Sequence, residues 1–235
     1  MKTGTLYLIP SLLDETSPEG VLPLEVINKT RALRNFIVEN ERTSRRFLIR
    51  LGMKEFLDEI HFELLNKHTK PEDLEYLVSP LRKGISVGLI SEAGCPGIAD
   101  PGADVVAIAH RNDIRVVPFT GPSSILLALM ASGLNGQRFA FHGYLPQKSG
   151  ERIRKIRQLE EQSRKESISQ IFIETPYRNH QLFADLKSSL NPSTSLCLAI
   201  SLTGPEERVI TKTIAEWKKI TIEFQKQPAV FLFLS

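Results

Sequence analysis

The chain has 235 residues, enough for one large domain or two small ones with an adequate core. With 41% hydrophobic and 24% charged residues it has the composition of an ordinary globular protein, and no apolar run reaches the ~18 residues of a membrane span. A net charge of +3 does not by itself indicate a nucleic-acid-binding protein, and two cysteines are too few for a disulfide or zinc framework. Acidic residues follow the first apolar stretch too closely for a secretory signal, so we expect a cytoplasmic location.

The first half alternates strands with helices. Its strands are predicted from short apolar segments rich in β-branched or aromatic residues, at 5–9, 35–39, 85–90 and 114–119. Its helices are predicted to begin at Glu41, Pro71 and Gly102. Strands that alternate with helices form βαβ units, so a mostly parallel sheet is expected.

The second half begins with an apolar helix after Gly121 and Pro122, for which Ser123 or Ser124 is the expected N-cap. The further strands predicted are 139–144, 168–174, 195–202, 207–213 and 229–234, and the further helices are 149–166 and 177–190. Several of these strands follow one another without a helix between them, which predicts antiparallel pairs and a mixed sheet. We therefore expect an α/β fold made of two α/β domains, 1–118 and 119–235.

The segment GLISEAGCPGIADPG, residues 88–102, holds four glycines and two prolines and follows a predicted strand. The carboxyl ends of strands in open α/β sheets are where such folds bind ligands. Asp100 is the expected N-cap of the next helix, with Pro101 at its first position. A second loop of this kind, 119–124, follows the next strand, and two neighbouring loops can form two walls of a cleft. A tight connection that binds nothing is an equally open interpretation.

Common catalytic signatures of nucleotide-binding proteins, metalloproteases and serine hydrolases are absent from the sequence. No ligand spacing relates the histidines, so no metal site is expected; they are His61, His68, His110, His142 and His180. Basic residues form two clusters, for which solvated helix faces are the ordinary explanation. The clusters are Arg42, Arg45, Arg46 and Arg50, and Lys148, Arg152, Arg154, Lys155 and Arg157.

An ordered series of motifs resembles the tetrapyrrole methylase-like family of S-adenosylmethionine-dependent methyltransferases. The series is ISEAGCPGIADPG, RVVPFTGPSSILLALMASGL and RFAFHGYLPQKSGER, with GTLYLIP, IVENERTSRRFLIRLG, IFIETPYR and QPAVFLFL as further matches. It spans almost the whole chain and is most similar to the bacterial branch that methylates the ribose 2′-hydroxyl of a cytidine in 16S ribosomal RNA. The resemblance implies RNA as a partner, a homodimer, and S-adenosylmethionine bound in a cleft between the two domains.

The resemblance also implies which residues bind the cofactor, largely through main-chain groups that small side chains leave accessible. These are Pro10, Gly94, Cys95, Pro96, Gly97, Ile98, Ser123, Ser124, Thr175, Pro176, Pro228 and Ala229. We interpret Cys95 as a packing substitution rather than a nucleophile, because the sequence places no basic neighbour beside it.

A ribose hydroxyl is a weak nucleophile, so a base or a cation near it assists methyl transfer. The catalytic candidates are Glu39 and Arg42, from the segment that corresponds to the family motif A-E-D-T-R, and Glu174 and Arg178, from ETPYR. The alternative is a salt-bridge network that supports the cleft.

The chain departs from the RNA-methylating branch in three places. The motif P-T-P-I-G-N-L is replaced at residues 10–16, A-E-D-T-R at 38–42, and R-E-L-T-K at 199–204, where only Leu202 and Thr203 match. These losses remove charges from the segments expected to face the substrate. Three functions therefore stay open: methyl transfer to RNA, methyl transfer to a tetrapyrrole or another small molecule, and noncatalytic cofactor binding with recognition of RNA or a partner. The motif series favours the first.

Overall fold

The computed structural model describes residues 3–65 and 69–235, so His68 lies outside the described residues. The chain divides into two compact units, Met1–Ser123 and Ser124–Ser235. The two domains proposed from the sequence, 1–118 and 119–235, stay a prediction. A compact unit is defined by its internal contacts, whereas a domain must also be able to fold on its own. No helix among the described residues is long and apolar enough to cross a membrane.

The first unit is built on a five-stranded sheet. Its strands are β1 (Thr5–Ile9), β2 (Asn35–Val38), β3 (His61–Leu64), β4 (Val87–Ile90) and β5 (Arg115–Pro118). Its helices are α1 (Leu24–Arg31), α2 (Glu41–Arg50), α3 (Pro71–Leu77), α4 (Ser79–Arg82) and α5 (Gly102–Arg111), with 3₁₀ turns at Pro18–Gly20 and Lys54–Glu59. The strand order is β3-β2-β4-β1-β5 and every pair is parallel. All five carboxyl ends therefore lie at one edge of the sheet.

Helices cover both faces of this sheet, as a parallel sheet requires. Along β2 the side chains alternate: Phe36 joins the cluster that contains Leu48 of α2, and Ile37 joins the cluster that contains Val105 of α5. On the first of these faces β4 carries Gly88, where a Cβ atom would lie 2.6 Å from Ile9 Cδ1 and 2.8 Å from Phe36 Cδ1. Only glycine fits there, so the large side chains of the neighbouring strands fill the space above β4.

The second unit also has a five-stranded sheet. Its strands are β6 (Phe139–Tyr144), β7 (Ser169–Glu174), β8 (Ser195–Ile200), β9 (Arg208–Thr213) and β10 (Ala229–Leu234). Its helices are α6 (Ser124–Ser132), α7 (Ser149–Glu166), α8 (Asn179–Ser189) and α9 (Ile214–Trp217), with a 3₁₀ turn at Pro176–Arg178. The order is β6-β7-β10-β8-β9, in which β6 and β7 are parallel and the other pairs antiparallel. The predicted α/β class, with one parallel and one mixed sheet, is confirmed.

Arg152 on α7 is buried, so its assignment to the second basic cluster is wrong. Its side chain is 1% exposed, and its Nε and Nη2 atoms lie 2.7 and 2.5 Å from Asp185 Oδ2. Its Nη1 atom donates hydrogen bonds to the carbonyls of Pro146 (3.2 Å) and Gln147 (2.8 Å). Arg152 faces inward because it lies one helical turn before the buried Ile156. The cluster's exposed members are Lys148, Arg154 and Arg157.

Candidate active site

The loops that follow β1 and β4 are joined at the carboxyl edge of the parallel sheet. The Ser11 amide donates to the Gly94 carbonyl at 2.9 Å, and the Gly94 amide donates to the Ser11 carbonyl at 3.3 Å. Two buried hydroxyls complete the connection: Ser11 Oγ donates to the Ser91 carbonyl (2.5 Å) and Ser91 Oγ donates to the Gly94 carbonyl (2.7 Å). Sequence reasoning missed both serines. The only signal for them is that each directly follows, or nearly follows, a buried strand.

The loop after β5 lies against the other two. A Cβ atom on Gly121 would lie 2.4 Å from Pro10 Cβ, so glycine is required for this close approach. Cys95 Sγ lies 3.4 Å from the Pro122 carbonyl oxygen, and Ser123 is buried at the end of the same loop. The structure therefore brings Pro10, Cys95 and Ser123 to one edge of the first unit.

The main chain between Gly94 and Gly102 is shaped by left-handed residues and by one carboxylate. Gly94 and Gly97 have φ of +74° and +77°, values that glycine adopts without a steric cost. Asp100 Oδ1 accepts hydrogen bonds from the Gly97 amide (2.5 Å) and the Gly102 amide (3.2 Å). Helix α5 begins at Gly102 with Pro101 at its N-cap, so the predicted N-cap role of Asp100 is wrong by one residue. Its carboxylate instead closes the loop on itself.

The surroundings of Cys95 and Asp100 raise the pKa of both side chains. Burial raises the pKa of the Cys95 thiol, and the negative charge of Asp100 raises it further. Burial also raises the pKa of Asp100, against the lowering effect of its two amide hydrogen bonds. A thiol with a raised pKa is a poor nucleophile, which supports a packing role for Cys95.

Glu39 lies just beyond β2, half-buried, and faces other carboxylates rather than cations. Burial raises its pKa first, followed by the negative charges of Glu92 and Asp100. It lines a cavity of about 10 Å³ with Asp100, which is far smaller than the roughly 300 Å³ of a typical ligand pocket. Arg42 is exposed on the first turn of α2, where its amide donates to the capping side chain of Asn40 at 2.9 Å. The salt-bridge alternative therefore does not describe the environment of Glu39.

Glu174 and Arg178, in the second unit, do form an ion pair. Glu174 Oε1 accepts from Arg178 Nη2 (2.7 Å), Arg178 Nε (3.0 Å) and the Thr175 amide (2.7 Å). Its Oε2 atom is buried and has no hydrogen-bond partner among the described residues. Because Glu174 pairs with Ala229 across the sheet, the predicted segments Thr175–Pro176 and Pro228–Ala229 lie at the same end of β7 and β10. A buried carboxylate oxygen without a donor indicates a partner that these residues do not supply, such as a water molecule or a ligand.

The predicted residues are divided between the two units. The first unit contains Pro10, Glu39, Arg42, Gly94, Cys95, Pro96, Gly97, Ile98 and Ser123, and the second contains Ser124, Thr175, Pro176, Glu174, Arg178, Pro228 and Ala229. Ile98 is exposed, whereas Pro96 is buried. Over residues 3–65 and 69–235, no group of three or more histidine, cysteine, aspartate or glutamate side chains is arranged to hold a metal ion.

We expect Asp100→Ala to lower the free energy of unfolding by about 1–3 kcal/mol, since the amides of Gly97 and Gly102 lose their acceptor. Asp100→Asn keeps an acceptor oxygen and is the matched control. Because the folded pKa of Asp100 is raised, the stability linked to its protonation is present below its unfolded pKa of about 4 and is lost as the pH rises through the folded value. In urea denaturation at pH 4 and pH 7, the free energy of unfolding of Asp100→Asn, relative to that of the wild type, should be higher at pH 7 than at pH 4. Equal pH dependence of the two proteins would contradict this.

Comparison with known proteins places the fold. The sequence pattern described as tetrapyrrole (corrin/porphyrin) methylases matches residues 28–218. The chain belongs to this family. Its matching region begins inside α1 and ends just after α9, so it includes the glycine-rich loop and the Glu174–Arg178 pair.

Individual members of the family resemble the chain along most of its length. A protein of Haemophilus influenzae named ribosomal RNA small subunit methyltransferase I is 30% identical over 221 residues, which are 94% of this chain and 74% of that protein. The protein of the same name from Pseudomonas aeruginosa is 32% identical over 219 residues, 92% of this chain and 72% of its own.

Solved structures in the family share the fold at low identity. Uroporphyrin-III C-methyl transferase from Thermus thermophilus, solved in complex with S-adenyl homocysteine, has a TM-score of 0.57 at 17% identity and covers 99% of this chain and 98% of its own. A diphthine synthase has a TM-score of 0.65 at 16% identity, covering 98% of this chain and 89% of its own. Identities this low show a common architecture.

Proposed function

We propose that the protein is an S-adenosylmethionine-dependent methyltransferase that acts on ribosomal RNA, at a ribose 2′-hydroxyl. The observation that carries the proposal is the similarity, over more than nine-tenths of the chain, to family members named ribosomal RNA small subunit methyltransferase I. The glycine-rich loop is largely intact, with Cys95 as a substitution within it, whereas the three departures from that branch lie in other segments.

The residues of the first unit fit S-adenosylmethionine. Two left-handed glycines, Gly94 and Gly97, flank Cys95 and Pro96 and carry no side chain that would keep a ligand away from the main chain. The Gly94 amide and carbonyl and the Gly97 amide are bound within the protein, so a zwitterionic ligand would use the other main-chain groups of this loop. In the second unit, the unpartnered Oε2 of Glu174 suits a ligand that carries ammonium and hydroxyl donors. A family structure bound to S-adenyl homocysteine supports the assignment. We propose that the twelve residues named from the resemblance hold the cofactor.

When bound, S-adenosylmethionine supplies an electrophilic methyl group on a sulfonium. The acceptor hydroxyl must lose its proton as the new bond to carbon forms, and a carboxylate with a pKa raised towards neutrality is suited to accept it. Glu39 is our candidate for this base, because burial and two neighbouring carboxylates raise its pKa. Glu174 is less suited, since Arg178 is bound to its carboxylate. We assign Arg178 to positioning Glu174.

Arg42 belongs to a basic stripe that suits a phosphate backbone. Arg42, Arg46 and Arg50 are exposed at intervals of four residues along α2, so they share one face. Arg45 is not part of it, because it is half-buried, pairs with Glu41 at 2.8 Å and lies over the ring of Phe62. Phosphate contacts of this kind position RNA without reading its sequence.

We also propose that the protein is a homodimer and works in the cytoplasm, where ribosomal RNA is assembled into subunits. The apolar helix α6 supports self-association, because Leu126 and Met130 are 50% and 80% exposed on one face of it. A second copy of this chain is the proposed occupant of that face. Sedimentation equilibrium measures the mass independently of shape, and we expect twice the mass of one chain.

The test is methyl transfer. Purified protein is incubated with labelled S-adenosylmethionine and small ribosomal subunits from a strain that lacks the corresponding gene, and the label is mapped. We expect label on one ribose, and we expect Glu39→Gln to slow transfer by about 100-fold or more while the cofactor still binds, because a general base contributes 10²–10⁴-fold. Calorimetry that detects no cofactor binding would refute the methyltransferase. If the cofactor binds but the ribosomal RNA acquires no label, RNA is not the substrate, and a small-molecule acceptor or a noncatalytic protein is favoured.

A further inference from the structure

Two exposed tyrosines lie at the carboxyl end of the only parallel strand pair in the described part of the second sheet. Tyr144 ends β6 and is 55% exposed, and Tyr177 lies three residues beyond the end of β7 and is 72% exposed. In the β6–β7 register Tyr144 is opposite Ile173, four residues before Tyr177. Both rings therefore belong to one edge of the second unit, beside the Glu174–Arg178 pair.

The strand just before Tyr144 contains a β-bulge, and a side-chain contact to β7 holds it. The β6–β7 register shifts between Phe141 and Tyr144, where Gly143 has φ of +63°. His142 Nε2 lies 2.5 Å from Oε1 of the buried Gln170. Bulges of this kind re-aim the side chain that follows them.

The backbone after Tyr144 is held by the buried cation described above. Arg152 Nη1 donates to the carbonyls of Pro146 and Gln147, and its Nε is bound to Asp185 of α8. Because Arg152 is buried and binds both this loop and the Asp185 carboxylate, it holds the loop in one position. The position of Tyr144 is thus set on both sides, as in a binding surface that is formed in advance.

One cation contacts the Tyr177 ring, and two exposed cations follow Tyr144 in the chain. The Arg178 guanidinium lies 5.5 Å from the centre of the Tyr177 ring. Lys148 is 84% exposed, and its 3.7 Å contact with Glu151 is too long for a strong ion pair. Arg154 is exposed one turn into α7. Exposed aromatic rings beside cations are the combination that binds unpaired nucleobases and their phosphates.

We propose that Tyr144 and Tyr177 are a stacking platform for unpaired bases of the RNA substrate, next to the proposed site of methyl transfer. This inference rests on the proposed function and adds to it the form of RNA that is recognised: a single strand whose bases are turned out, rather than a duplex. Arg152 acts as a positioning residue for the platform.

The test is the affinity for a single-stranded oligoribonucleotide of mixed sequence, measured by fluorescence anisotropy. Tyr144→Leu and Tyr177→Leu are each expected to weaken binding about tenfold, the loss of one stacked base. Tyr144→Phe and Tyr177→Phe keep the ring and are expected to recover most of the affinity. Tyr76→Leu is the matched control, because Tyr76 is 64% exposed but lies on α3 of the first unit. Thermal melting checks that each variant is folded.

The outcomes separate this inference from the proposed function. If the wild type methylates ribosomal RNA and both leucine variants bind the oligoribonucleotide as tightly as Tyr76→Leu does, the platform is wrong and the proposed function stands. If the wild type neither binds nor methylates RNA, both fall. If the leucine variants change the sedimenting mass but not the RNA affinity, the two tyrosines belong to a protein interface and the inference is overturned.

Discussion

Gly94→Val is expected to weaken S-adenosylmethionine binding by at least about tenfold, because a shift of the loop breaks main-chain hydrogen bonds to the cofactor, each worth about 0.5–1.5 kcal/mol, and about 1.4 kcal/mol is a factor of ten. The φ of Gly94 is +74°, which a β-branched residue adopts at a cost of roughly 1–3 kcal/mol. A Cβ atom there would also lie 3.3 Å from Leu13 Cδ2 and 3.5 Å from the Pro122 carbonyl oxygen. The strain falls on the bridge to Ser11, so we expect the loop to shift while the sheet stays intact. Isothermal calorimetry measures the affinity, and circular dichroism the fold.

The matched control for this variant is Gly133→Val. Gly133 has φ of +71°, and no atom of the described residues lies within 4 Å of the position its Cβ would take, so Gly133→Val carries the same backbone strain without the contacts of the loop. We expect Gly133→Val to lose stability and keep the wild-type affinity for the cofactor. Wild-type affinity in Gly94→Val would show that the loop after β4 does not bind S-adenosylmethionine.

Arg152→Met is expected to lower the free energy of unfolding by about 3–5 kcal/mol. Removing one partner of a buried ion pair leaves an uncompensated charge, here on Asp185, whose side chain is 14% exposed. The carbonyls of Pro146 and Gln147 lose their donor at the same time. Urea denaturation followed by tryptophan fluorescence measures the loss, since Trp217 is buried in the same unit.

Two further variants identify the cause of that loss. Arg152→Met combined with Asp185→Leu removes both charges and is expected to recover much of the stability, since apolar replacements of buried ion pairs are often close to neutral. Arg157→Met changes an exposed arginine on the same helix and is expected to stay within about 0.5 kcal/mol of the wild type. Equal losses in Arg152→Met and Arg157→Met would contradict the buried ion pair.

The strands were predictable where burial alone defines them. β1, β6 and β10 have the predicted bounds, and the other six predicted strands match within two residues at each end. β3 was missed because His61–Leu64 is an edge strand whose two end residues are exposed, so its pairing with β2, rather than its own pattern, makes it a strand. α1 was missed because Pro23 at its N-cap offers no side-chain acceptor, the usual signal of a helix start. The predicted helix from Pro71 divides into α3 and α4 at Val78.

The sequence predicted the glycine-rich loop of the candidate site, but not the contacts that this loop makes with distant residues. Glycine and proline spacing located the segment around Gly94, because backbone conformation is a local property. The bridge from Ser11 to Gly94 joins residues about eighty positions apart, and no local pattern indicates which distant partner a serine finds. Arg152 was wrongly predicted to be exposed for the same reason. A charged residue at helical spacing is expected on a solvated face unless its buried partner, here Asp185, is known. Tertiary contacts decide these positions.

The order of strands in the second sheet has a consequence for synthesis of the chain on the ribosome. β10, the last strand in sequence, lies between β7 and β8, which do not pair with each other. Until β10 leaves the exit tunnel, β6–β7 and β8–β9 are two separate ribbons, each with an unsatisfied edge where β10 will insert. Completion of this unit must therefore wait for residues 229–234, while every strand of the parallel sheet is already available by residue 118. We therefore expect the nascent second unit, and not the parallel sheet, to expose unpaired strand edges until β10 is synthesised.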